Sequence, residues 1–139
     1  MKVLADPCAW SLLLRRGTPA ALNSEEQFML TVLKDAIQDG RITMVGPIRQ
    51  EVLSGIREPR QFERLKGALD AFPDEPITTA DYEEAARFFN LCRSRGVECG
   101  GIDILLCALT SRTGWSLLTN DGGIKRCMEV LKAERILLR

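Results

Sequence analysis

The chain has no histidine, no CxxC pair of cysteines, and no apolar run of the roughly 18 residues needed to cross a membrane. Without histidine, the Ser-His-Asp and Cys-His triads are excluded, as are the zinc sites built on imidazole. There is no excess of either charge: 19 basic side chains balance 19 acidic ones, which argues against a non-specific nucleic-acid binder held by charge alone. A nuclease is still allowed, because carboxylates gathered around a cation are neutralised by it. The start lacks the apolar core and cleavage site of a signal peptide, so the expected location is the cytoplasm, with no membrane association. No proline-, glycine- or serine-rich linker interrupts the 139 residues, and a single domain over 1–139 is expected. The five cysteines, an odd number, are expected to be reduced and mostly buried.

What is present is an alternation of short apolar runs and helical periodicity. Val3, Leu4 and Ala5 read as a buried strand that delivers Asp6; Pro7 suits a first helical turn, and Ala9 to Arg16 reads as a short helix that carries Trp10, Leu13 and Leu14. Ser24 with Gln27 predicts a capping box for a second helix carrying Met29, Val32, Leu33, Ala36 and Ile37. A strand over Ile42 to Val45 follows, then a helix opened by Gly46-Pro47 with Ile48, Val52 and Ile56 inward, and another from Pro59 to Ala71. Thr78 with Asp81 predicts the cap of a long helix whose inward stripe is Tyr82, Ala85, Ala86, Phe89 and Cys92. The segment Gly100 to Leu109 is apolar nearly all round, as a helix buried through the middle of a domain would be. Trp115 to Leu118 reads as a strand, Ile124 to Leu131 as a helix, and Ile136 to Leu138 as a final edge strand. The fold class expected is α/β, three-layer α/β/α, with a mostly parallel central sheet.

In such a sheet the loops at the carboxyl ends of the strands share one edge, where ligands bind. Asp6, Glu51 and Asp121 follow strands within a few residues, and Asp103 lies in the first turn of the buried helix. Each has a plain structural explanation. Asp6 and Asp121 suit helix N-caps, Asp103 suits a helix start, and Glu51 suits a surface ion pair. Together they imply a carboxylate cluster, and crowded carboxylates call for a cation. An all-oxygen donor set selects Mg²⁺ or Mn²⁺. The matching chemistry is hydrolysis of a phosphodiester with metal-activated water as nucleophile.

The blocks VLADPCAW, IRQEVLSG, GGIDILLCAL and LLTNDGG, in that order, resemble the PIN domain, and the length and layout are similar to the ribonuclease toxins of VapBC toxin–antitoxin systems. The resemblance spans essentially the whole chain. It implies a PIN-like fold in which Asp6, Glu51, Asp103 and Asp121 hold Mg²⁺ or Mn²⁺ and carry RNA cleavage, with Thr119 and Asn120 in support. It also implies homodimers and a small antitoxin as partner. Two positions depart from the family pattern: Pro7-Cys8 stand where a polar side chain usually follows the first acid, and Gly123 stands where a further acid is often found. The alternative reading is a non-catalytic PIN-type module that binds RNA or a protein with a weakened metal site.

Arg15, Arg16, Arg49, Lys125 and Arg126 lie near the expected strand ends as candidate contacts to RNA phosphates. Trp10, Leu13 and Leu14, with Leu30 and Leu33 from the next helix, are expected to line a groove for an apolar partner segment.

Overall fold

Strand β1 (Val3–Ala5) lies at the centre, buried along its whole length, which is why it reads as an unbroken apolar run. The computed structural model, which describes residues 1–14 and 21–133, flanks it with β2 (Ile42–Thr43) and β3 (Ser116–Leu118) in the order β2-β1-β3. Both pairings are parallel, with Val3 opposite Ile42 on one side and Ser116 on the other. All three strands therefore end at the same edge. The sheet is covered on both faces, giving the three-layer α/β/α class.

Helix α1 (Pro7–Leu14) starts at that edge. The Asp6 carbonyl accepts from the N–H groups of Ala9 and Trp10 at 2.9 and 3.3 Å, with Pro7 filling the first helical position, where no N–H is needed. Helix α2 (Ser24–Gln38) is capped one residue earlier than the sequence suggests: Asn23 and Glu26, not Ser24 and Gln27, form the capping box. Asn is as good an N-cap as Ser, and local pattern does not choose between adjacent candidates. Strand β2 is shorter than expected. Met44 leaves the ladder to bridge Asp74, and Val45 becomes the N-cap of α3 (Gly46–Leu53).

Helix α4 (Pro59–Leu69) stops two residues before the expected Ala71, with Asp70 as its C-cap. Helix α5 (Thr79–Ser94) has the predicted Thr78–Asp81 capping box. Its inward face is Asp81, Ala85, Phe88 and Cys92, so Tyr82 and Ala86, expected inside, lie exposed. On that face Asp81 is held by the Thr78 N–H and paired with Arg112 of the next helix. In α6 (Gly101–Thr113) every residue from Ile104 to Thr110 is buried, as its all-round apolarity requires. Helix α7 (Gly122–Ala133) begins two residues before the expected Ile124. The proposed strand Ile136–Leu138 and the end of the first helix at Arg16 lie outside the described residues. Among the described residues no helix is long and apolar enough to cross a membrane.

Two packing expectations change. Trp10 and Leu33, assigned to a partner groove, are 1% and 0% exposed, and the Trp10 ring packs on Phe72 with centroids 5.2 Å apart. They are core residues; Leu13, Leu14 and Leu30 are only half-buried. The cysteines are not all reduced: a sulfur–sulfur bond joins Cys99 to Cys127, while Cys8, Cys92 and Cys107 are free. Spacing along the chain gave no sign of that pair, since the two are brought together by helix packing.

Candidate functional site

Asp6 follows β1 directly and is almost completely buried. Its carboxylate accepts from the Thr119 hydroxyl at 3.1 Å. Burial raises its proton affinity, hydrogen bonds from Cys8 and Thr119 lower it, and Asp121 raises it further, with the balance upward. The cap explanation of Asp6 is also partly true, because its carboxylate draws on the Cys8 backbone N–H. Thr119 lies one residue past β3 and takes a second bond, accepting from the Asp121 N–H at 3.0 Å. Asp121 in turn accepts from the Ile124 N–H at 2.9 Å and so caps α7.

Asp103 is different. The N-cap of α6 is Gly100, which has no side chain to form a cap bond, and among the described residues the Asp103 carboxylate has no hydrogen-bond partner. The carboxylate folds back over Gly100 instead, so that a Cβ placed there would stand 3.2 Å from Asp103 Oδ2. Burial, then Asp121, Asp6 and Glu51 in that order, push its pKa up to about 6. That dependence places Glu51, exposed on α3, within electrostatic reach of the same carboxylate. Four elements thus present acids to one space at the carboxyl edge of the sheet. Among the described residues none of the four forms an ion pair with a lysine or arginine.

The donor set is all oxygen and, among the described residues, without a paired cation, which fits a hard divalent ion in the class of Mg²⁺ and Mn²⁺. The oxygens are not drawn tightly together. Among the described residues the group of three or more metal-ligating atoms within 4.8 Å of one another is made of cysteines, not acids. That spacing suits an ion that keeps much of its water and touches one or two carboxylates.

Cys8 replaces the polar residue expected beside the first acid. Its thiol lies 3.6 Å from Thr119 Oγ1, and burial followed by the Asp6 hydrogen bond pushes its pKa up to about 11, so it stays a neutral thiol. The backbone of Asn120 also reaches it. Gly123, the other departure, has a steric reason: a Cβ there would stand 3.1 Å from Asp121 Oδ1, so any side chain would crowd that carboxylate. Gly100 went unnoticed in the sequence as part of the site, although the pair Gly100-Gly101 before Asp103 was a visible signal.

The candidate phosphate contacts fare unequally. Arg49 is committed elsewhere: its guanidinium donates to Asp74 at 2.9 Å, to the Leu69 carbonyl at 3.0 Å and to the Phe72 carbonyl. It clamps α3 to the segment after α4 and is not available for a ligand. Lys125 pairs with Glu25 at 2.5 Å on the surface. Arg126 is exposed and extends over Gly122 and Gly123, next to Asp121. Arg15 and Arg16 lie outside the described residues.

No family model matches the chain, and no curated protein is similar to it in sequence. Among solved structures it is similar to FitAcB from Neisseria gonorrhoeae, with a TM-score of 0.70 at 15% identity, covering 91% of this chain and 93% of that one. At that identity the likeness is one of fold, and the fold is α/β of the PIN-like kind.

Proposed function

We propose that the chain is a Mg²⁺- or Mn²⁺-dependent endoribonuclease, the toxin of a toxin–antitoxin pair. The observation that carries this reading is the electrostatic coupling of Asp103 to Asp121, Asp6 and Glu51 at one sheet edge, with Asp103 lacking, among the described residues, any partner that a structural role would give it. A carboxylate kept half-buried beside three others is costly unless a cation compensates it. When bound, such an ion supplies a Lewis acid that polarises the phosphodiester and lowers the proton affinity of water.

The chain's own residues divide the work. Thr119 fixes the Asp6 carboxylate and, through the Asp121 N–H, the start of α7, so that two of the acids share one hydroxyl as a reference point. Asp103, crowded by the other three acids and by burial, is the carboxylate that gains most from a bound cation. Glu51 adds negative charge from the opposite strand connection. Arg126, exposed beside Asp121, is placed to hold an RNA phosphate. The PIN-like fold shared with FitAcB supports an antitoxin as partner, and the exposed Phe28, Tyr82 and Ile102 leave apolar surface for a protein contact or a second copy.

The test is incubation of the purified chain with RNA pools in Mn²⁺, in Mg²⁺ and in chelator, alongside Asp103→Asn. Cleavage that needs the ion and disappears in the variant supports the reading. Metal-dependent RNA binding without cleavage favours the non-catalytic alternative, and neither binding nor cleavage overturns both.

A further inference from the structure

Away from the acidic edge, Cys92 of α5, Cys99 of the α5–α6 connection and Cys127 of α7 place their sulfurs within 4.8 Å of one another. Cys92 and Cys127 are fully buried and Cys99 is 8% exposed. Cys107, on α6, stands near enough to Cys92 for their thiolate charges to repel. Four of the five cysteines therefore gather where α5, α6 and α7 pack.

We propose that Cys92, Cys99 and Cys127 form a thiolate site for a soft d¹⁰ cation, with Cu⁺ the best fit. Soft sulfur donors select Cu⁺ or Zn²⁺ over Mg²⁺ and Mn²⁺, so the site does not compete for the ion of the acidic edge. A closed Zn²⁺ site takes four ligands; the chain has no histidine, and among the described residues neither Cys107 nor a carboxylate comes within the 4.8 Å that joins the trio. Cu⁺ is satisfied by three sulfurs. The negative charge left on the site is offset by its position, since Cys99 immediately precedes Gly100, the N-cap of α6, and sits at the positive end of that helix.

Cys99 and Cys127 are joined in this structure, so loading begins with reduction. A dithiol reductant supplies two electrons and two protons, becoming a disulfide itself, and leaves Cys99 and Cys127 as thiols. Cu⁺ then displaces thiol protons to solvent, with no change in its oxidation state. The bound ion ties the entry of α6, four residues before Asp103, to α7, six residues after Asp121.

The test uses the whole chain, reduced with dithiothreitol, desalted without oxygen and titrated with Cu⁺ against a competing chelator. The expected result is one equivalent bound per chain, a near-ultraviolet thiolate-to-copper charge-transfer band, and a higher melting temperature with Cu⁺. Cys92→Ser and Cys127→Ser should lose the band while Cys8→Ser keeps it. Should the serine variants fail to fold, iodoacetamide labelling of the natural chain in sub-denaturing urea replaces them: Cu⁺ must shield Cys92, Cys99 and Cys127 and not Cys8. Absence of the band, a band that survives Cys92→Ser, or equal labelling with and without Cu⁺ would overturn the proposal. None of these readouts depends on nuclease activity.

Discussion

The Thr119 hydroxyl donates to Asp6 Oδ2 at 3.1 Å and accepts from the Asp121 N–H at 3.0 Å, joining the ends of two parallel strands through one oxygen. Thr119→Val keeps the shape and removes both bonds. The expected cost is about 1 kcal/mol in denaturant unfolding, because the lost bonds are partly replaced by water. Mn²⁺ affinity, measured by the shift in melting temperature, should fall as well, since the Asp6 carboxylate loses a bond that favours its charged form. An unchanged Mn²⁺ response would show that Asp6 is positioned without Thr119.

Asp103 gives the metal-free chain a distinct pH dependence. Its folded pKa, up to about 6, lies above the ordinary carboxylate range, so between the two values the folded state binds more protons than the unfolded one. From this group, stability falls as pH rises toward and through 6, and recovers as pH drops back toward the ordinary range. Asp103→Asn should remove that slope and be at least as stable as the parent at neutral pH without metal, while losing most of the Mn²⁺ stabilisation. Asp103→Ala should also escape the roughly 0.5–2 kcal/mol penalty of a lost cap, because no cap bond is made. Melts of the parent and both variants across pH 4 to 8, with and without Mn²⁺, check the sign.

Asp81 has the opposite sign. Although burial raises its proton affinity, hydrogen bonds from Arg112 and from the Thr78 N–H hold it below the usual carboxylate range. Its contribution is present above that range and is lost as pH falls below it. Asp81→Ala would take the shared carboxylate from half-exposed Arg112 and from the Thr78 N–H, while the Thr78 hydroxyl keeps its bond from the backbone N–H of residue 81, at a cost of about 1.5–3 kcal/mol in chemical unfolding. A loss under about 1 kcal/mol would show the pair to be a solvated one.

Arg49 and Arg126 separate architecture from substrate contact. Arg49→Ala should destabilise the fold by roughly 2 kcal/mol, since two carbonyls and Asp74 lose their donor, and leave the salt dependence of RNA binding unchanged. Arg126→Ala should leave stability unchanged and reduce the salt slope by about 1. Binding titrations over a range of salt, with melts of the same samples, would show whether the roles are exchanged.

Cys8→Ser should hold or raise nuclease activity. Its thiol, a neutral group beside Asp6 with pKa up to about 11, is a poor donor toward a hard cation, and a hydroxyl is a better one. Initial rates over a Mg²⁺ series would reveal the change; a loss of activity at saturating Mg²⁺ would assign the thiol a packing role.

Local sequence determined the features whose causes are local. Asp6-Pro7 after three apolar residues specifies a strand followed at once by a helix, and Thr78 with Asp81 specifies a cap, because each depends on groups only a few residues apart. The alternation of such units was enough for the parallel α/β class. Tertiary structure decided the rest. Spacing placed Asp103 at a helix start, but only the packing of α6 under the sheet edge set its distance from Asp6, Asp121 and Glu51, and with it the direction of its pKa. Trp10 and Leu33 look like groove residues until their neighbours are known, and Trp10 is closed over by Phe72. Arg49 reads as a free cation and serves as a clamp for carbonyls 20 and 23 residues away. The approach of Cys99 to Cys127, 28 residues apart, follows no local pattern. Periodicity tells a side chain which face of its helix it occupies, whereas the partner across that face is chosen by the packing of the whole chain.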